Sequence, residues 1–156
     1  MNAPLRLQPY LEHSHDVLLS PAVRKRIAAS GLASKLKRHV QGDVLFDAGS
    51  KARYSTDASI YQVQPVGVVV PRNEADAFIA LEIARDEGVP VLSRGGGTSQ
   101  CGQTVGEALV IDTSHSLNQL LSVDVDKRSA VVQPGMVLDH LNAQLKKQIG
   151  RASCRE

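Results

Sequence analysis

Three consecutive glycines set between two apolar runs constrain this chain more than any other feature. The segment Ser93-Arg94-Gly95-Gly96-Gly97-Thr98-Ser99-Gln100-Cys101-Gly102-Gln103 follows Val89 to Ser93, which reads as a strand, and leads into a second strand over Ala108 to Asp112. Glycines lack the Cβ that would keep a ligand from the backbone, and they accept positive φ angles. Successive N–H groups in such a turn converge into a nest for a phosphate oxygen. Thr98 and Ser99 add hydroxyl donors, and Arg94 adds a positive charge. A segment of this kind also serves as a flexible connection between strands. Two other phosphate loops are excluded by spacing. No Lys follows the glycines, as a P-loop requires, and the chain runs on through Gly102 and Gly106 into a strand rather than into the helix of a G-x-G-x-x-G fingerprint.

Strands and helices alternate around this loop. Val66 to Val70, closed by Pro71, reads as a buried strand. Asn73 is placed to cap a helix over Glu74 to Glu87, with Asp76 at the third helical position and Gly88 as the stop. Phe78, Leu81 and Ala84, with Ile79 and Ile83, predict its apolar face. Upstream, Ser20, Pro21 and Gly31 frame another helix, after an extended arm over the first twenty residues. Leu32 to Val40 is basic and amphipathic, Val44 to Phe46 is a short strand candidate, and Asp47 to Ser59 reads as a polar loop. Downstream, Leu121 to Val125 and Ser129 to Gln133 read as strands joined across Asp126-Lys127. Pro134-Gly135 then turns the chain into a helix carrying Val137, Leu141 and Leu145. The expected fold class is α+β, a small mixed sheet flanked by helices.

Composition narrows the partners. The 156 residues are 42% hydrophobic and 22% charged, which suits a packed core, and 18 basic residues against 16 acidic ones give no electrostatic footprint for nucleic acid or an anionic membrane. No window reaches the length of a transmembrane segment, and Met1 to Tyr10 lacks the apolar run of a secretory signal. Two isolated cysteines, Cys101 and Cys154, form neither a disulfide framework nor a zinc spacing, so the expected setting is reducing and cytoplasmic. His115 reads as a surface histidine, His140 as partly buried packing and Cys101 as a small space-filler. Asp112 and Asp124 read as strand-end residues. His13 and His15 lack further metal-ligating partners. No catalytic constellation is visible.

The motifs taken together resemble a known family. R-G-G-G-T-S at Arg94 to Ser99, between a V-P-V strand and an A-L-V-I-D strand, resembles the pyrophosphate loop of the vanillyl-alcohol-oxidase/MurB-type FAD-binding domain, also called PCMH-type or the FAD-linked oxidase N-terminal domain. V-G-V-V-V-P at Val66 to Pro71 resembles its opening strand, Val131 to Met136 resembles its V-x-P-G turn, and Asp57-Ala58-Ser59 resembles the approach to the first strand. The resemblance spans roughly residues 40 to 148. It implies that Arg94, Gly95, Gly96, Gly97, Thr98 and Ser99 wrap the FAD diphosphate, mainly through backbone N–H groups, and that Gly102 lets the loop close. Pro134, Gly135 and Met136 would form a wall near the cofactor, and Pro71 would end its strand beside the adenine-side pocket. Relatives that link FAD covalently do so through a His after the glycines. That position is Thr98 here, which implies non-covalent FAD.

The branch that fits best is the D-2-hydroxyacid dehydrogenases: D-lactate and D-2-hydroxyglutarate dehydrogenases and the related flavoprotein component of glycolate oxidase. The resemblance implies oxidation of a small 2-hydroxyacid to the 2-oxoacid, with hydride passing to flavin N5 and electrons leaving to a quinone or cytochrome. Some members carry an iron–sulfur cluster in a C-terminal domain. The alternatives are a MurB-like NADPH-dependent reductase and a non-catalytic nucleotide-binding module. The expected organisation is an N-terminal arm and helical region over 1–40, an incomplete FAD-binding domain over 41–148 and a non-native tail over 149–156. The tail resembles one reading frame of a short-read sequencing adapter, so the natural chain is expected to continue past Gln148 into the missing cofactor cradle and substrate domain. The fragment alone is then expected to be inactive, to bind FAD weakly and to expose an apolar stripe on its last helix.

Overall fold

The computed structural model describes residues 19–29 and 31–146. The His13-Ser14-His15 triplet, the extended arm before Leu19, and the tail with Cys154 lie outside the described residues. Helix α1 (Pro21–Ala29) starts where Ser20 and Pro21 direct it, and Gly31 at φ 68° separates it from α2 (Leu32–His39). In α2, Leu32 and Leu36 stand four residues apart on one face and are buried, while Lys37, Arg38 and His39 stay in solvent. Strand β1 (Asp43–Leu45) follows, then α3 (Ala48–Arg53), β2 (Gly67–Val70), α4 (Glu74–Asp86), β3 (Val91–Arg94) and β4 (Leu109–Asp112). Strands β5 (Leu120–Asp124) and β6 (Ser129–Val132) and helix α5 (Leu138–Leu145) complete the described chain.

Four strands make one mixed sheet in the order β1-β2-β4-β3. Strand β4 runs parallel to both β2 and β3, and β1 runs antiparallel to β2. Strands β5 and β6 form a separate antiparallel hairpin, its turn closed by the Lys127 amide donating to Asp124 Oδ1 at 2.9 Å. Both central strands are buried along their whole length, as valine-rich strands covered on both faces should be. Period-two alternation divides their side chains. Val69, Leu109 and Ile111 join Leu32, Leu36, Ala80 and Ala84 on the helical side. Val68, Val70 and Val110 meet Leu45, Tyr54 and Leu92 on the other. Each fully buried Val, Leu or Ile among them contributes roughly 1.5–3 kcal/mol through burial.

Several expectations change. The polar stretch after β1 contains helix α3, capped by Asp47, whose carboxylate accepts from the Ser50 amide at 2.8 Å. Helix α4 is capped by Asn73 as expected, but its sheet-facing stripe is Asp76, Ala80 and Ala84. Phe78 and Leu81 are 64% and 42% exposed. Small residues line that stripe because α4 packs closely on both α2 and the sheet, leaving no room for a phenyl ring. His140 is exposed rather than packed, and Leu141 and Leu145 of α5 are buried. The apolar residues left open on this part of the chain are Val137 and Leu138. No helix among the described residues is long and apolar enough to cross a membrane.

Candidate cofactor site

Because β2, β3 and β4 are parallel, their carboxyl ends share one edge of the sheet, which is where open α/β sheets bind ligands. The glycine loop leaves β3 there, Pro71 follows β2, and Asp112 to Leu117 follow β4. The Pro134-Gly135-Met136 turn reaches the same edge. Gly135 is buried, and its amide donates to the Leu117 carbonyl at 2.7 Å. A Cβ on Gly135 would lie 2.1 Å from the Thr113 carbonyl oxygen, so this turn can sit on the β4 loop only as glycine. Pro134 is exposed and Met136 half-buried. Pro71 is fully buried, with Gly42 packed against it, so its side chain offers no surface to a ligand. A groove of about 400 Å³ opens beside it, between Arg72 to Ala75 and Ser116, Leu117, Gln119 and Gln133.

Within the loop, Gly97 has φ 67° and Gly102 has φ 78°. A positive-φ residue in such a run is what makes successive amides converge. Among the described residues the amides of Gly96, Gly97 and Thr98 donate no backbone hydrogen bond, and a Cβ built on Gly95 would meet nothing within 4 Å. Free donors beside open space fit a diphosphate. The Ser99 hydroxyl is engaged within the loop, pairing with Gln103 Oε1 and accepting from the Gln103 amide at 3.2 Å. Thr98 is exposed. Cys101 is exposed as well, not filling space in a core.

The residues that hold this loop lie far from it in sequence. Arg94 turns inward: Nη2 donates to the Thr56 carbonyl at 2.9 Å and Nη1 to the Thr104 carbonyl at 3.2 Å, with the guanidinium 5.2 Å from the centre of the Tyr54 ring. Tyr61 lies against Gly102. Thr104 Oγ1 donates to Asp57 Oδ2 at 3.0 Å. Hydrogen bonds from Ser59, then from Thr104, hold the pKa of the Asp57 carboxyl at about 2. Asp112 is buried rather than a bare strand end, and it accepts from the Tyr54 hydroxyl at 2.7 Å and from the Ser114 amide and hydroxyl. His115 Nε2 stands 3.7 Å from the same carboxylate. Tyr54, Asp57, Tyr61 and Thr104 carry no signal of their own in the sequence beyond the Asp57-Ala58-Ser59 resemblance.

Burial, and then the hydrogen bond to Asp112, push the Tyr54 phenol up to about 12. A group whose folded pKa is raised contributes stability that is complete below its unfolded value, near 10, and is lost as pH rises toward 12. Ultraviolet titration of the chain is expected to show a tyrosinate step near pH 12 that disappears in Tyr54→Phe. Loss of a step near pH 10 instead would show that the Tyr54 hydroxyl is free of Asp112.

A second cavity, of about 530 Å³, opens at the opposite edge among α1, α2 and Phe46. It contains none of the loop residues. Its carboxylate, Glu107, is already engaged by Arg24 at 2.5 Å and by the Leu19 amide.

Comparison with known proteins identifies the family and agrees with the fold. The FAD binding domain family matches residues 65–154. The chain is 35% identical over 108 residues to a D-2-hydroxyglutarate dehydrogenase of Pantoea ananatis, covering 67% of the chain and 11% of that protein. It is 38% identical over 110 residues to glycolate oxidase subunit GlcD of Bacillus subtilis, covering 67% of the chain and 23% of that protein. It therefore spans a small part of the length of the curated relatives it matches. Among solved structures, 4-ethylphenol oxidase from Gulosibacter chungangensis shares the fold with a TM-score of 0.66 at 17% identity, over 81% of this chain and 25% of that one. With the glycine loop, both central strands and the Pro134-Gly135 turn inside a match that takes in more than half of its residues, the chain belongs to the FAD binding domain family.

Proposed function

We propose that this chain is the diphosphate-holding part of a flavoprotein dehydrogenase that oxidises a D-2-hydroxyacid to the 2-oxoacid. The observation that carries the reading is the loop from Gly95 to Thr98, whose unengaged amides border open space at the carboxyl edge of the sheet. The Gly96, Gly97 and Thr98 amides would hold the diphosphate, and the Pro134 to Met136 turn would wall the cofactor on the β4 side. The chemistry supplied by bound FAD is acceptance of a hydride at N5 from the carbon that bears the substrate hydroxyl. Thr98 stands where covalent relatives carry His, which supports non-covalent binding. Substrate-reading residues, any iron–sulfur cluster and the docking site for a quinone or cytochrome belong to the rest of the parent protein, for which a cytoplasmic or membrane-peripheral location is proposed.

Two measurements test this. The 156-residue chain is expected to quench FAD fluorescence saturably and to release all flavin on acid precipitation. The complete gene product is expected to reduce an artificial electron acceptor with D-lactate, D-2-hydroxyglutarate or glycolate. Oxidation of NADPH with none of these acids active would replace the dehydrogenase reading with a reductase.

A further inference from the structure

Arginine at the mouth of a phosphate loop ordinarily suggests a direct ion pair with the ligand. The geometry of Arg94 points elsewhere. Its two terminal nitrogens are bound to carbonyls on opposite sides of the loop mouth, Thr104 at the loop's far end and Thr56 in the neighbouring segment. Its planar group lies over the Tyr54 ring, which is in turn fixed to buried Asp112. Gly97, at φ 67°, crosses close over the guanidinium, so that a Cβ there would come within 2.4 Å of Nη2. These contacts commit one donor on each terminal nitrogen to the protein's own backbone.

We propose that Arg94 is a positioning residue: it braces the glycine loop from within, joining its two ends to the 54–56 segment so that the loop amides are aligned before the cofactor arrives. The proposal rests on the FAD-cradle reading for its purpose but on the free chain for its geometry. A guanidinium can bridge two carbonyls and lie flat on a ring at once, whereas an ammonium is a point charge that cannot. Shape, not charge, is therefore the property required at this position.

Arg94→Lys separates the two. Hydrogen exchange of the Cys101, Gln103 and Val105 amides, which donate to acceptors within the loop, is expected to rise about tenfold when measured without ligand, the scale of one lost charge-assisted hydrogen bond. FAD affinity is expected to fall by about the same factor, while exchange in α4 stays unchanged. Unchanged loop exchange overturns the proposal: with normal affinity Arg94 is dispensable, and with weakened affinity it is a direct phosphate ligand. If Arg94→Lys loosens α4 as well, Gly97→Ala decides when measured alone and together with Arg94→Lys, because its methyl displaces the same guanidinium. Loop loosening that is less than additive in the double variant supports the brace, and additive loosening overturns it. If neither the unmodified chain nor the complete gene product binds FAD while loop exchange responds as expected, the cofactor reading fails and the brace stands.

Discussion

Gly97→Ala is expected to weaken FAD binding about 100-fold and to cost about 2 kcal/mol of stability, whereas Gly95→Ala weakens binding with no loss of stability. Only Gly96 separates the two residues, yet they differ in what surrounds them. Gly97 holds φ 67°, a conformation that costs an L-residue roughly 1–2 kcal/mol, and its added methyl would also overlap Arg94 Nη2 at 2.4 Å. Gly95 has nothing within 4 Å of the position a Cβ would take. Its methyl fits the free chain and intrudes only where the diphosphate would approach. Urea denaturation alongside flavin-fluorescence titration separates the two effects. The triple variant of Gly95, Gly96 and Gly97 is expected to lose saturable quenching altogether. Full affinity in both single variants would mean that the nucleotide lies somewhere other than this loop.

Asp76→Ala is expected to destabilise the chain by about 3–5 kcal/mol. The carboxylate is buried and accepts three backbone hydrogen bonds, from the amides of Gln41, Gly42 and Arg72, each at 2.9 Å. Its own amide is held by the Asn73 cap. Truncation leaves three amides without their acceptor around a residue that is only 2% exposed, and each such donor costs roughly 1–3 kcal/mol when it stays unsatisfied. A domain of this size has roughly 5–15 kcal/mol in total, so the urea midpoint falls steeply while the denaturant slope is preserved. Asp76→Asn keeps one accepting oxygen and should fall between. A loss under about 1 kcal/mol on alanine substitution would mean that water or a shifted backbone replaces the carboxylate.

Asp76 also illustrates what can be read from order along the chain. Its place three residues after a capping Asn is a local pattern, and so are the glycine loop, the valine strands and the hairpin around Asp126-Lys127. All of these stand within a residue or two of their expected positions. The long-range work of the same side chain, reaching back to Gln41 and Gly42, has no local trace. The site behaves alike. Its loop is legible because glycines announce it, but Arg94 finds Thr56 across 38 residues and Tyr54 finds Asp112 across 58. Apolarity alone assigns Phe78 to the core, whereas the sheet-facing stripe of α4 selects for small volume. Helix α3 is invisible to periodicity, because six residues with one cap carry no period.

The strand order carries a consequence for synthesis. Strands β2 and β3 never touch; each pairs with β4, which is made last of the four. As the chain leaves the ribosome, β2 emerges with only the short β1 beside it, and β3 emerges with no partner at all. Both wait while the glycine loop is translated. Leu109 to Asp112 then enters between two open edges and closes them together. A nascent chain halted before Leu109 would therefore carry two unsatisfied strand edges, the condition in which β structure is most prone to pair with other molecules. The span that spells the glycine loop is thus also the interval during which the sheet is unprotected.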